Sequence, residues 1–162
     1  MIKDILIKKS KGEPEEDKKN YKKFILCKLN DNEFLLDILS VKEIVSASQL
    51  TPLPGTTGNI MGILNLRGLV VPIVKINLSN DSKENLKSNE LIRYVICQTK
   101  DELIGLFVDE AQFIIDIEEE ILFQAKPLNM NLFSKSIKVE SKIYKILDIS
   151  KVFNEYKIKN QE

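Results

Sequence analysis

The sequence predicts an all-β fold, because most of its apolar residues fall in short runs bounded by turn-forming residues. The order of these runs repeats: the strand-like run at 94–97 matches the run at 24–27, about 70 residues earlier. In both places a polar turn, a return strand and, further on, a hairpin follow. We therefore expect two β units of about 50–60 residues each. Units of this size bury little apolar surface alone, so they are expected to pack against each other.

The first unit is expected to begin near Tyr21 with a β-hairpin. Residues 24–29 are strand-like, the Asn-Asp-Asn sequence at 30–32 is a polar turn, and residues 33–38 provide the return strand.

A capping box follows this hairpin and predicts one or two helical turns. Ser40 stands at the cap and Glu43 three residues later, so each side chain can bond the main chain of the other. Val41, Ile44 and Val45 are spaced by three and four residues, so in a helix they would share one face.

The segment 51–76 predicts a second hairpin. It holds three of the five prolines and four of the six glycines. Gly62 and Gly68 bound a short strand, and we expect a tight turn at Gly68, where a positive φ costs little. Arg67 precedes that turn, and only Arg67 and Arg93 are arginines in a lysine-rich chain. A planar guanidinium at the hairpin tip indicates oriented polar contacts.

The second unit repeats this order. A polar turn at 100–102 follows the strand at 94–97, and a return strand follows at 103–108. A second capping box at 109–112 predicts another helical turn, and the closing hairpin lies at 139–147.

The predicted organisation is a tail followed by one folded domain, 21–158. Its parts are a mobile N-terminal tail at 1–20, a first unit at 21–76, a linker at 77–90, a second unit at 91–147 and a C-terminal helix at 148–157. The charged part of the tail cannot bury enough apolar surface to order itself. Residues 2–7 are weakly apolar, and either fray, add a strand or dock on a partner.

The apolar period changes at the end of the chain from two to about 3.6. The residues of the resulting apolar helix face are Ile149, Val152, Phe153 and Tyr156. Asp148 is the expected N-cap. This short helix is expected to seal a gap in one of the β units.

Composition lowers the expectation of catalysis and of nucleic-acid binding. The 162-residue chain has no histidine, which excludes Ser-His-Asp and Cys-His chemistry. Its formal net charge is zero, so no long-range field attracts nucleic acid or anionic lipid. No apolar run reaches the roughly 18 residues of a membrane span. Cys27 and Cys97 lie in apolar runs, as expected of small buried side chains in a reducing, cytoplasmic protein.

The patterns of metal, nucleotide and catalytic sites are missing. Segment 51–76 lacks a Gly-rich phosphate-binding motif. The acidic run 116–120 lacks the ligand pattern of a calcium loop and is expected to be a solvated turn. Asp37 and Asp109 are expected to end a strand and to cap a helix. The phenylalanines expected in the core, and not on a nucleic-acid surface, are Phe24, Phe34, Phe107 and Phe113. No cofactor, metal or catalytic residue is predicted.

Two roles stay open for Glu43 and for Arg67. Glu43 either completes the capping box or contacts a partner. Arg67 either forms a local ion pair at the hairpin tip, which is worth little if exposed, or orients a partner. In the second case both side chains would lie on one surface.

Five motifs in the chain belong together. They are Val41-Lys42-Glu43-Ile44, Thr-Pro-Leu-Pro at 51–54, Ile-Met-Gly-Ile-Leu-Asn-Leu-Arg-Gly at 60–68, Val-Pro-Ile at 71–73 and Gly-Leu-Phe-Val-Asp at 105–109. In this order and spacing, from Tyr21 to about Tyr156, they resemble the CheW-like family, the coupling proteins of bacterial chemotaxis. The resemblance implies two SH3-like five-stranded β-barrel subdomains packed on each other. It also implies a non-enzymatic scaffold that couples chemoreceptor signalling tips to the regulatory domain of the CheA kinase.

The resemblance further implies which residues engage these partners. The interaction residues would be Val41, Glu43, Ile44, Asn65, Arg67 and Gly68, with Gly62 and Pro72 in structural turns. The protein would be cytoplasmic, would be recruited to membrane receptor arrays through its partners, and could join rings with other CheW-like subunits. Two features depart from the family: Lys75 replaces a common aspartate, and 133–142 lacks a common glycine, which suggests an altered turn.

Two other functions stay open, and a carboxylate-based hydrolase ranks last because the chain has no histidine. One is a CheW-like coupler of another kinase pathway, such as surface motility. The other, of a different class, is a β-barrel module that binds a small ligand or an oligonucleotide.

Overall fold

A computed structural model describes residues 19–54, 60–77 and 91–160, without the side chains of 112 and 157–160. The predictions for the tail at 1–18 and for the linker at 78–90 lie outside these ranges. The described strands are β1 (Tyr21–Leu29), β2 (Asn32–Asp37), β3 (Val41–Ser46), β4 (Ile60–Leu66), β5 (Leu69–Val74), β6 (Arg93–Gln98), β7 (Leu103–Val108), β8 (Glu110–Glu118), β9 (Lys126–Pro127), β10 (Phe133–Val139) and β11 (Lys142–Leu147). The helices are α1 (Glu119–Phe123) and α2 (Ile149–Asn160), and a 3₁₀ turn spans Ile38–Ser40.

These strands form two sheets. Sheet 1 has six strands in the order β8-β1-β2-β11-β10-β9, and sheet 2 has five in the order β3-β6-β7-β5-β4. The sixth strand of sheet 1, β9, has only two residues. The prediction of an all-β fold with two packed β units and a C-terminal helix is confirmed.

The segment after β3 closes sheet 2 on itself. Thr51 in this segment bridges to Ile63 of β4, the opposite edge strand, through main-chain hydrogen bonds of 2.9 and 2.8 Å. In sheet 1 the chain leaves the edge strand β8, passes through α1 and pairs with β10 as β9. Each sheet is therefore a small barrel, and we call the barrel of sheet 1 barrel 1 and that of sheet 2 barrel 2.

Each barrel combines strands from both halves of the sequence. β1 and β2 pair with β8 and β11, whereas β6 and β7 pair with β3 and β5. The predicted units at 21–76 and 91–147 therefore do not coincide with the barrels. The reason is that a sequence repeat identifies equivalent segments, but it does not reveal with which copy a strand pairs.

Both predicted capping boxes are wrong, because both segments are edge strands. Asp37 caps the 3₁₀ turn by accepting a hydrogen bond from the N–H of Leu39 (2.9 Å), and this turn ends at Ser40. Val41–Ser46 then extends along β6 as β3, and Glu110–Glu118 extends along β1 as β8. Strand pairing of segments rich in Val and Ile outweighs the local capping signal.

Buried apolar side chains form two clusters. The larger cluster contains residues of both sheets, among them Phe34 of β2 and Ile96 of β6, and it joins the two barrels. The smaller cluster fills barrel 1 around Leu35 and Tyr144. The barrels thus share a core and pack on each other, as expected for units too small to be stable alone.

The C-terminal helix is present, with Asp148 as its N-cap. Oδ1 of Asp148 accepts a hydrogen bond from the N–H of Ser150 (3.0 Å). Val152 and Phe153 are buried in the larger cluster. The helix begins at Ile149 and ends at Asn160, beyond the expected end at 157. In the ranges described above, no helix is long and apolar enough to span a membrane.

Cys27 and Cys97 occupy equivalent positions in β1 and β6, and both are buried. Burial raises the pKa of the Cys27 thiol to about 12 and also raises the pKa of the Cys97 thiol. The two cysteines are small core side chains, as predicted. The prediction that Phe113 belongs to the core is wrong, because Phe113 lies on the edge strand β8 and is half-exposed.

Candidate functional site

The turn between β4 and β5 holds an arginine in an uncommon backbone conformation. Arg67 has a φ of 52° and Gly68 a φ of 85°. Two-residue hairpin turns of this kind require positive φ at both central positions, which costs a non-glycine residue about 1–2 kcal/mol. The N–H of Gly68 donates a hydrogen bond to Oδ1 of Asn65 (2.9 Å), which helps to hold the turn. The tight turn expected at Gly68 is present.

Arg67 forms an ion pair with Glu43. Nη2 of Arg67 donates to both carboxylate oxygens of Glu43. Glu43 lies on β3 and Arg67 follows β4, and these are the two edge strands of sheet 2. The pair therefore links the two edges that the Thr51–Ile63 bridge also joins. We call the group Glu43, Asn65, Arg67 and Gly68 the polar tip.

The polar tip is accessible to solvent. The side chain of Arg67 is 75% exposed and that of Glu43 is 25% exposed. Of the roles left open, the local ion pair of Arg67 is present, whereas the capping box of Glu43 does not form because Glu43 lies in a strand. Both side chains lie on one surface, which is the arrangement that a contact with a partner requires.

A β-bulge in β3 brings Val41 and Ile44 to one face. The register shifts directly after Val41, so Val41 lies opposite Cys97 and Ile44 lies opposite Val95. Cys97 and Val95 are two residues apart and face the same side of β6. Val45, expected on the same face, points to the other one. Val41 and Val45 both pack against the larger core cluster, whereas Ile44, which follows Glu43 in the strand, is 41% exposed.

Gly62 and Pro72 lie within strands, so the prediction that they form turns is wrong. Gly62 is at a bulge of β4, where an added Cβ would stand 2.8 Å from Cβ of Leu50 and from the main-chain oxygen of Thr51. Glycine thus permits the close approach of the segment that closes sheet 2. Pro72 pairs with Ile63, one residue before pairing of β5 with β7 begins, so its missing N–H costs the sheet little.

The sequence analysis missed an exposed apolar surface on the outside of the β4–β5 hairpin. Val70 is 66% exposed, and Met61 is partly exposed. Val70 lies opposite Asn65, so this surface, which we call the β5 surface, reaches the polar tip. Strand alternation could have revealed it, because Val70 must face away from its buried neighbour Val71.

Barrel 1 carries apolar side chains at the equivalent outer positions. Ile143 of β11 stands where Val70 stands in β5, and it is similarly exposed. Ile114 follows a bulge in β8 as Ile44 follows the bulge in β3, and it is half-exposed. The turn of the β10–β11 hairpin contains Glu140, with a φ of 57°, and no glycine, so the two barrels have different tips.

The remaining polar candidates have structural partners. Asp109 does not cap a helix; its Oδ2 accepts a hydrogen bond from the N–H of Asn30 (2.7 Å) and anchors the β1–β2 turn. The acidic run 116–120 is not a turn, because it ends β8 and begins α1. Within it, Asp116 forms an ion pair with Lys23 (3.0 Å). No group of three or more Asp, Glu, His or Cys side chains in the described residues is placed to hold a metal ion.

Two small β-barrels of related topology with a shared core define a double-barrel β fold. The solved structure of the scaffolding protein TtCheW from Thermoanaerobacter tengcongensis has this fold. It matches with a TM-score of 0.68 at 23% identity, covering 85% of this chain and 91% of that chain.

Sequence comparison identifies the family. The chain is 32% identical to the chemotaxis protein CheW of Helicobacter pylori over 110 residues, which cover 68% of this chain and 66% of the relative. It is 28% identical to CheW of Rhizobium meliloti over 140 residues, covering 82% and 87%. The family model of the CheW-like domain matches residues 23–157. The chain belongs to the CheW-like family, and it is a chemotaxis scaffold protein, not an enzyme.

One departure from the family has a structural explanation. Lys75 stands where an aspartate is common, and its Nζ lies 5.6 Å from the centre of the Phe107 ring. A cation over an aromatic face is stabilised there, so the lysine has a local partner that an aspartate would lack.

Proposed function

We propose that this protein couples the cytoplasmic signalling tips of chemoreceptors to the regulatory domain of the histidine kinase CheA. It acts in the cytoplasm and reaches membrane receptor arrays through these partners. The observation that carries the proposal is the solvent-exposed ion pair of Glu43 and Arg67, which lie 24 residues apart in sequence.

The receptor side of the coupler is the edge strand β3 together with the polar tip. Receptor tips are helical hairpins, and an amphipathic helix binds through an apolar stripe laid against an apolar surface. Val41 packs at the edge of the core that joins the two barrels, and Ile44 on the same strand offers an exposed apolar side chain. Arg67 keeps guanidinium N–H groups available beyond its bond to Glu43, so it can orient a partner carboxylate.

The kinase side of the coupler is the β5 surface. Val70 and Met61 supply exposed apolar side chains on the outside of barrel 2. The equivalent Ile143 on barrel 1 offers a second contact, through which CheW-like subunits or kinase domains can continue a ring. Neither contact has to be tight, because an array raises the effective concentration of each partner.

Binding experiments with matched variants test these assignments. We expect Ile44→Asp to weaken binding to receptor tip fragments, whereas Ser46→Asp, an exposed position on the same strand, leaves it unchanged. We expect Val70→Asp to weaken binding to the CheA regulatory domain, whereas Ser141→Asp in the exposed turn of barrel 1 does not. Co-sedimentation with receptor fragments, with and without kinase, measures both. Unchanged binding by Ile44→Asp and Val70→Asp would contradict the proposal.

A further inference from the structure

A cavity of about 310 Å³ lies at one end of barrel 1, and it includes no residue of the polar tip or the β5 surface. It is lined by the start of β1, the 3₁₀ turn and the start of α2. Phe24, Leu122 and Ile146 form part of its apolar wall, and charged side chains of both signs line the rest. Its volume is at the lower end of the range for ligand sites, about 300–1,000 Å³.

Two exposed apolar side chains flank this cavity. Leu39 lies between the lining residues Asp37 and Ser40, and Phe123 follows the lining residue Leu122. Leu39 is 87% exposed and Phe123 is 86% exposed, the highest values among the large apolar side chains of the described ranges. Single exposed apolar residues are common, but two of them beside one partly apolar cavity mark a binding surface.

The chemistry of the cavity favours an apolar segment over an anion. The N–H groups at the start of α2 would attract an anion, but Asp148 already accepts hydrogen bonds from Ser150 and Lys151 there. Its carboxylate also repels a second negative charge. What remains is a cavity wall in which apolar side chains alternate with serines and charges of both signs, with exposed apolar residues beside it.

We propose that this cavity binds the chain's own N-terminal segment, residues 2–7. Ile2, Ile5, Leu6 and Ile7 make this segment apolar, and its Lys3 and Asp4 match the mixed charges of the cavity wall. The segment lies outside the described residues and outside the part of the chain that matches the family, which begins at residue 23. The contact is therefore a property of this chain and is independent of the proposed coupling function.

The length of chain between the segment and the fold suits this contact. Lys22 lines the cavity and lies three residues after Lys19, about 10 Å along an extended strand. The segment and Tyr21 are separated by 13 residues, and a random-coil chain of 13 residues would have a root-mean-square span of about 20 Å. A short tether of this kind keeps the effective concentration of the segment near the millimolar range. Weak apolar contacts are then sufficient for occupancy.

A tryptophan reporter tests the proposal in the full chain. The protein has no tryptophan, so Phe123→Trp introduces a single reporter at the edge of the cavity. We expect the emission of this reporter to shift to longer wavelength when Ile5→Asp and Leu6→Asp are added, because the ring loses its apolar cover. Ile143→Trp, on the outer surface of barrel 1, is the control and should not respond. An unshifted emission spectrum of the Phe123→Trp reporter, or an equal shift of both reporters, would overturn the proposal.

A spin label shows whether the cavity is occupied by the N-terminal segment of the same chain or by a second copy. Because Cys27 and Cys97 are buried, Lys3→Cys gives one reactive thiol for a nitroxide. We expect loss of amide signal intensity at Leu39, Phe123 and Ile149, unchanged on dilution and abolished by Ile5→Asp with Leu6→Asp. Loss of intensity in a mixture of labelled chain and unlabelled ¹⁵N chain would instead indicate a second copy. Intensity loss centred on Ile44 or Val70 would indicate a different surface, and either result refutes the assignment.

Discussion

Replacing Arg67 by alanine separates the stability of the polar tip from its use in binding. The substitution removes the guanidinium from Glu43. Since the two side chains are 75% and 25% exposed, their ion pair contributes only about 0.2–1 kcal/mol. A chain of this size loses roughly 2–4 °C in Tm for each kcal/mol. We therefore expect Arg67→Ala to unfold at most about 4 °C below the parent protein.

The expected effect on receptor binding is larger. A hydrogen bond from the guanidinium to a partner carboxylate is worth about 1.5–3 kcal/mol. Its loss weakens affinity roughly 10- to 150-fold. Titration calorimetry with a receptor tip fragment measures this change, and Lys100→Ala, which removes an exposed lysine from the β6–β7 turn, is the control for charge.

Arg67→Gly isolates the contribution of the backbone. Arg67 has a φ of 52°, a conformation that costs a residue with a Cβ about 1–2 kcal/mol and glycine almost nothing. We expect Arg67→Gly to be about 1 kcal/mol more stable than Arg67→Ala and to bind the receptor equally weakly. The reasoning would be refuted if Arg67→Ala cost more than about 2 kcal/mol, or if its affinity matched that of Lys100→Ala.

Three further predictions concern the fold. Gly62→Ala should lower the free energy of unfolding by about 1–3 kcal/mol in urea denaturation, since its Cβ would stand 2.8 Å from the oxygen of Thr51; a loss below about 0.5 kcal/mol would contradict the close approach. Burial raises the pKa of Cys27 to about 12 and also raises that of Cys97, whereas unfolded thiols ionise near about 8.5. Below about pH 8.5 the thiols are neutral in both states and do not affect the free energy of unfolding. Above it they ionise only in the unfolded chain, so the free energy of unfolding falls by up to about 1.4 kcal/mol per pH unit for each thiol. Measured by urea denaturation, the free energy of unfolding of the Cys27→Ala, Cys97→Ala double variant should fall less steeply with rising pH than that of the parent protein. An equal fall in both proteins would show that thiol ionisation is not the cause. Asp109→Ala should cost about 1–3 kcal/mol, because the N–H at the β1–β2 turn loses a charged acceptor; thermal unfolding measures it, and an unchanged Tm would show that water replaces the carboxylate.

Most strands were accessible to sequence reasoning, but the edge strands β3 and β8 were not. Strand β1 and the β4–β5 hairpin followed from apolar runs and a glycine at a tight turn. β3 was predicted as a helix because Ser40 and Glu43 form a local capping pattern, whereas its pairing with β6 depends on residues about 50 positions away. A local sequence pattern determines the secondary structure of a segment only where no distant strand pairs with that segment.

The candidate site was also only partly predictable from the sequence. The resemblance named Glu43 and Arg67 as interaction residues, but that the two form an ion pair follows from the closure of sheet 2. Val41 and Ile44 were grouped for the wrong reason, since a bulge and not a helix places them together. The exposure of Val70 was readable from strand alternation, but the sequence analysis assigned no buried or exposed face to the strand at 69–74.

The crossing of strands between the repeats has a consequence for how the molecule can be divided. A fragment that ends at residue 76 keeps β1 and β2 without β8 and β11, and a fragment that begins at residue 91 keeps β6 and β7 without β3 and β5. Neither fragment has a complete barrel, so each needs the other to fold. Co-expressed halves should reassemble by complementation, and a chimaera with a relative has to exchange both halves at once.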